Sequence, residues 1–146
     1  MVPVAGVEPR AIRNSFSDPR SGGRTHRAYD IAAPRGTPVV AAMGGRVLAK
    51  RNNALGGISM YVVDHDREFV YYYAHLDRYA RGVNEGDDVQ QGRVLGYVGT
   101  TGNAPASFPH LHFQVLRVDP RRRDWWNGPA VDVLDYFALT GSDGSR

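Results

Sequence analysis

Glycine and proline interrupt this chain so often that no segment of ten or more residues keeps a sustained apolar spacing of three to four. Without that spacing a helix has no stripe to bury. The 17 Gly and 9 Pro fall between short runs rich in Val, Ile, Tyr and Phe, the composition of strands joined by turns. A mostly β protein follows. At 146 residues and 42% hydrophobic content, the chain suits one domain around a single core.

The strands can be placed in order. Ile31 to Ala42 reads as a strand, a tight Pro34-Arg35-Gly36 turn and a second strand, and Gly44-Gly45 turns into Arg46 to Lys50. Ile58 to Val63 and Phe69 to His75 form a hairpin across Asp64 to Glu68, which leaves His65 on an exposed turn. Along its second strand, period two puts Tyr71, Tyr73 and His75 on one face, so the tyrosines are expected to line the histidine's groove or lie half-buried. The stretch from Gly82 to Gly99 echoes that from Gly36 to Val47, which predicts two similar hairpin layers stacked face to face. Trp125 and Trp126 are expected over one end of the sheet, and the spacing from Val131 to Leu139 permits a helix-like finish.

Charge and composition exclude several classes. The net charge of +3 favours an anionic partner, but Arg117 with Arg121-Arg122-Arg123 is short and lacks interleaved aromatics, so it reads as a solvated loop and no nucleic acid is expected. No apolar run is long enough to span a bilayer, and Met1 to Gly6 lacks the regions of a signal peptide. A monomer is expected. Cysteine is absent, so any metal must be held by His and carboxylate.

The five histidines then carry the chemistry. In Pro109-His110-Leu111-His112-Phe113, alternation presents His110 and His112 side by side and directs Leu111 and Phe113 into a core. His26 and Asp30 lie four apart at a loop end and a strand start, and His75 ends the Tyr-rich strand. A hydrolytic zinc site takes three nitrogen or oxygen ligands and one open position. The economical set is His26, Asp30 and His112. His75 and His110 then stand beside the open position, one to take a proton from the attacking water, the other to stabilise an oxyanion or protonate the leaving amine. The alternative is a structural zinc site closed by His75 or His110.

Several motifs run in register: His26-x-x-x-Asp30, Gly36-Thr37-Pro38-Val39, Tyr73-Ala74-His75-Leu76, Gly86-Asp87-x-Val89, Gly92-x-x-Leu95-Gly96, Thr101-Gly102 and His110-Leu111-His112-Phe113. Their order and spacing resemble the lysostaphin/LytM-like zinc metallopeptidases, over most of the chain from about Phe16 to Arg117. The segment Trp125-Trp126-x-Gly128-x-x-Val131-Asp132 is similar to the tail of many proteobacterial members. The resemblance implies an all-β fold, a two-layered, mostly antiparallel sandwich or half-barrel with a long groove, duplicated hairpins and little helix. It also implies a Zn2+ ion on His26, Asp30 and His112, with His75 and His110 as catalytic histidines. The implied activity is hydrolysis of peptide bonds in peptidoglycan cross-links or stems, with a D-Ala-diaminopimelate bond expected because such walls lack polyglycine bridges. The implied location is periplasmic or extracellular. On this view residues 1–13 are a lead-in, 14–139 a single metallopeptidase domain and 140–146 a flexible tail.

Three departures stand out. Ala28 and Phe108 occupy positions where the family commonly has Gly, and Phe108 is expected to narrow or shield the groove. No Tyr precedes His26 to stabilise an oxyanion; Asn14, Arg20 and Arg24 are there instead. The alternative function is a regulatory module of the same fold that activates a cell-wall amidase, though members of that kind typically lack metal ligands.

Overall fold

The computed structural model describes residues 1–13, 15–17 and 27–133. Eight strands follow one short 3-10 turn at Pro9–Ala11: β1 (Tyr29–Ala32), β2 (Pro38–Val40), β3 (Gly45–Asn53), β4 (Gly57–Asp64), β5 (Phe69–Tyr79), β6 (Asp88–Val89), β7 (Val94–Val98) and β8 (His110–Arg117). They pair antiparallel in the order β1-β8-β5-β4-β3-β6, while β2 pairs with β7 and β7 with the far end of β5. The expected all-β, mostly antiparallel fold is what the chain adopts.

β5 joins the two branches of the sheet. Its first half, Phe69 to Ala74, pairs with β8, and its last residues, Leu76 to Tyr79, pair with β7. Between the halves the register against β4 slips: Ile58 opposes Leu76, but Met60 opposes Tyr73, so three steps on β5 match two on β4. This bulge falls where the partner of β5 changes from β8 to β7. The main core combines Tyr29, Ile31, Val39, Met60, Val62, Tyr73, Leu95, Val98, Leu111 and Phe113 with Val2, Val4 and Ile12 from the start of the chain.

The strands expected on either side of the Pro34 turn exist, with β1 paired to β8 and β2 to β7. One expectation needs correction. The two echoing blocks meet strand to strand, β2 on β7 and β3 on β6, rather than as layers stacked face to face. Here hydrogen bonding across distant sequence wins over local hairpin formation, because each strand then has its backbone satisfied and an apolar face buried.

The second face of the sheet is apolar at one end. Val63, Val70 and Leu116 are buried there beneath Trp125, Trp126, Leu48 and Tyr61, as expected of the tryptophans. His65 lies on the exposed turn, as expected. The basic cluster is a solvated loop: Arg121 pairs with Asp119 and Arg122 with Asp124. Ala130 bridges to Leu116, and Val131 to Val133 form no helix; the rest of the helix-like segment and of the tail lies outside the described residues.

Candidate active site

The register assembles the site. Asp30 on β1 faces His112 on β8, and His112 faces Ala74 on β5, so three strands contribute to one row across the sheet. His110, two residues before His112, shares its face, while Leu111 and Phe113 are fully buried on the other, as alternation requires. Asp30 Oδ1 lies 3.4 Å from His112 Nδ1 and 3.6 Å from His110 Nε2.

His75 comes beside these residues by breaking the strand's alternation. Its φ of +62° is left-handed, a conformation that costs a non-glycine residue roughly 1–2 kcal/mol. The surroundings hold it there. Its backbone N–H donates to the Gly56 carbonyl at 2.8 Å, and its ring Nδ1 lies 2.8 Å from the Thr101 carbonyl. Gly57 lets these loops meet, because a Cβ there would stand 2.4 Å from the Thr101 hydroxyl and the Gly102 nitrogen. The His75 ring centroid is then 5.1 Å from that of His110 and 5.6 Å from that of His112.

The bulge also corrects the expectation for the tyrosines. Beyond it His75 leaves the face of Tyr71 and Tyr73. Tyr73 is fully buried in the core, where its hydroxyl accepts the Ala42 N–H at 3.0 Å, and Tyr71 packs against Phe113. The aromatic that accompanies the histidines is Tyr72, edge-on to His112 at 6.0 Å and tilted against Tyr61 at 4.5 Å. Period two misses it, because one left-handed residue shifts the count.

Carbonyls fix the tautomers. A carbonyl only accepts, so His75 Nδ1–H donates to Thr101 and His110 Nδ1–H donates to Phe108, both at 2.8 Å. The two Nε2 atoms are left with lone pairs, suited to accepting a proton. Burial pulls the His75 pKa down from 6.5 to about 4; the His112 and His110 imidazoles add to this, against the opposing Thr101 carbonyl and Asp30. His75 is neutral at physiological pH.

One pair of donors is spaced as two ligands of a small divalent ion would be. Two ligands about 2.0–2.1 Å from a tetrahedral zinc stand roughly 3.3 Å apart, close to the separation of Asp30 Oδ1 and His112 Nδ1. Among the described residues no group of three His or carboxylate side chains closes on one point. The third expected ligand, His26, lies outside the described residues, as do Asn14, Arg20 and Arg24.

Comparison with known proteins adds to this geometry. The model for peptidase family M23 matches residues 24–132. The chain is 34% identical over 122 residues to the L-Ala–D-Glu endopeptidase of Bacillus subtilis, covering 79% of this chain and 37% of that protein. It is 38% identical over 93 residues to the peptidoglycan DD-endopeptidase ShyC of Vibrio cholerae, covering 64% of this chain and 20% of that protein. The chain thus spans well under half the length of either curated relative. Among solved structures it resembles the catalytic domain of lysostaphin from Staphylococcus simulans, with a TM-score of 0.73, 28% identity, and coverage of 87% and 91% of the two chains.

Proposed function

The chain belongs to peptidase family M23, and from that premise we propose that it is a zinc-dependent endopeptidase that hydrolyses peptide bonds of peptidoglycan. The observation that carries the reading is the convergence of Asp30, His75, His110 and His112 on one face, from three strands, with two imidazoles oriented by carbonyls. His26, Asp30 and His112 would hold the ion. A zinc ion held there supplies Lewis-acid polarisation of the scissile carbonyl and a lowered pKa for the attacking water.

The chain's own residues divide the remaining work. With Nδ1–H tied to Thr101, His75 presents Nε2 to the site and accepts the proton of the attacking water as it forms the new C–O bond. His110, tied to Phe108, presents Nε2 beside Asp30; carrying a proton taken from solvent, it stabilises charge on the carbonyl oxygen and gives that proton to the amine as the C–N bond breaks, while His75 releases its own to solvent. Tyr72 and Tyr61 extend from His112 along the sheet and form a floor for an extended peptide.

A D-Ala-diaminopimelate cross-link is the bond proposed. A relative named for DD-endopeptidase activity supports it, and one named for L-Ala–D-Glu cleavage marks the competing choice. Such a substrate lies outside the cytoplasmic membrane, so we place the protein in the periplasm or outside the cell. Among the described residues no helix is long and apolar enough to cross a membrane.

The test is mass spectrometry of diaminopimelate-type cross-linked peptidoglycan fragments after incubation with the zinc-loaded protein, beside a chelated sample. New monomeric fragments that disappear on chelation are expected, and their masses name the bond. Intact fragments in the presence of bound zinc would overturn the endopeptidase reading for this substrate and favour an amidase-activating module.

A further inference from the structure

The fold treats the members of the basic cluster differently. Arg121 and Arg122 are neutralised by Asp119 and Asp124, but among the described residues no carboxylate lies within ion-pair distance of Arg117, or of Arg67 on the turn between β4 and β5. Each of these two lies over an aromatic ring instead. Arg67 Cζ is 4.2 Å from the Trp125 ring centroid, and Arg117 Cζ is 4.9 Å from that of Phe69. Both arginines line one cavity of about 520 Å³, together with Glu68, Val118, Pro120 and Trp125.

The backbone fixes both positions. Arg67 donates its N–H to the Asp64 carbonyl at 3.0 Å, and Asp64 Oδ1 accepts the N–H groups of Glu68 and Phe69 at 2.8 and 3.3 Å. The Glu68 carbonyl accepts the Val118 N–H at 2.9 Å, and Arg117 donates its N–H to the Pro129 carbonyl at 2.8 Å, so the turn is tied to the end of β8. Arg67 has a φ of +55°, left-handed like His75. A glycine would adopt that backbone without strain; what arginine adds there is a cation over Trp125.

A guanidinium lying over a ring keeps N–H donors for an oxyanion, and its attraction to the ring holds it in place. The cavity carries two positive charges and the one negative charge of Glu68, so a single added negative charge balances it. Val118, Pro120 and Trp125 supply an apolar wall for the carbon beside that charge. We propose that Arg67 and Arg117 form a binding site for an organic monoanion that presents two free oxygens, as a carboxylate or a phosphodiester does. The site lies away from the histidines: Arg117 is five residues beyond His112 on β8, roughly 16 Å at the rise of a strand. It goes beyond the peptidase reading and does not depend on it.

The experiment is an NMR titration of the full chain at constant ionic strength, following the Trp125 indole N–H and the Arg67 guanidinium N–H. The probes are butanoate, diethyl phosphate and the neutral butanamide. Saturable shifts are expected from at least one anion and none from butanamide. Arg67→Gln and Arg117→Gln each raise Kd by about tenfold, and Glu68→Gln lowers it by about two- to fivefold. Arg121→Gln, a charge already held by Asp119, leaves it unchanged. Core methyl signals show whether each variant is folded, and if Arg67→Gln is not, Arg117→Gln carries the test. Tighter butanoate binding identifies the ligand group as a carboxylate and tighter diethyl phosphate binding as a phosphodiester, and either supports the site. Shifts that never saturate, equal binding of butanamide, or weaker binding by Glu68→Gln would overturn it. So would an equal loss in Arg121→Gln, the mark of a diffuse positive field.

Discussion

The two ends of the β5–β8 ladder begin from the same alternation and finish as different chemistry. From the Phe69 and Arg117 pair to the Tyr73 and Phe113 pair the register is unbroken, and each face contributes buried apolar side chains. Tyr73, Phe113 and Val115 enter the main core, while Val70 and Leu116 lie under Trp125 and Trp126. Past the Ala74 and His112 pair, β5 gains one residue and His75 turns left-handed. There the second face carries imidazoles. A regular ladder supplies core on both sides; a break in register lets a side chain of β5 join those of β8.

The largest test of this contrast is at the histidine end. Replacing His110 with Ala is expected to lower kcat by about 10²–10⁴-fold, as for loss of a proton-transfer group, with zinc content unchanged. Replacing Asp30 with Ala removes bound zinc as well. Metal analysis beside kinetics separates the two outcomes, and loss of zinc from His110→Ala would make that residue a ligand.

At the opposite end the effect is on stability. Leu116→Ala deletes a buried side chain beneath the tryptophans and is expected to cost about 2–5 kcal/mol in denaturant unfolding, with zinc binding retained. If it released zinc from the folded protein, the two ends would not be independent.

Acid sharpens the comparison further, because the apolar end carries no buried imidazole. His75 is held neutral, with its pKa lowered to about 4. Below pH 6.5 the unfolded chain binds a proton that the folded chain refuses, so stability of the metal-free protein falls as pH drops. The loss develops as pH falls from 6.5 to about 4. In His75→Gln this part of the pH dependence should vanish from thermal melts; if it persists, another group is responsible.

The smallest effect concerns the bulge. Thr101 Oγ1 donates to the Leu76 carbonyl at 2.7 Å and accepts the Ile58 N–H at 3.1 Å, pinning β4 and β5 where the register slips. Thr101→Val removes both bonds and should cost about 1–3 kcal/mol, with faster hydrogen exchange at the His75 amide than at Val70. Uniform exchange along β5 would show that the bulge is held by other contacts.

Much of this molecule can be read from residue order. Turn residues between β-rich runs specify strands, and the alternation in His110-Leu111-His112-Phe113 determines which side chains face the core. The motifs in register identify the family, because each spacing meets a local requirement: a turn, a close approach, or two imidazoles on one face. The readings that failed are those in which a local rule was carried through a position decided by distant contacts. Period two puts Tyr71 and Tyr73 on the face of His75, yet Gly56 and Thr101 hold that histidine left-handed. The tertiary structure alone places Asp30 opposite His112, sets Tyr72 beside it, and lays the Phe108 ring on His110. Side-chain order along a strand is local geometry, whereas register, bulges and loop clamps depend on which backbone groups find partners across the fold.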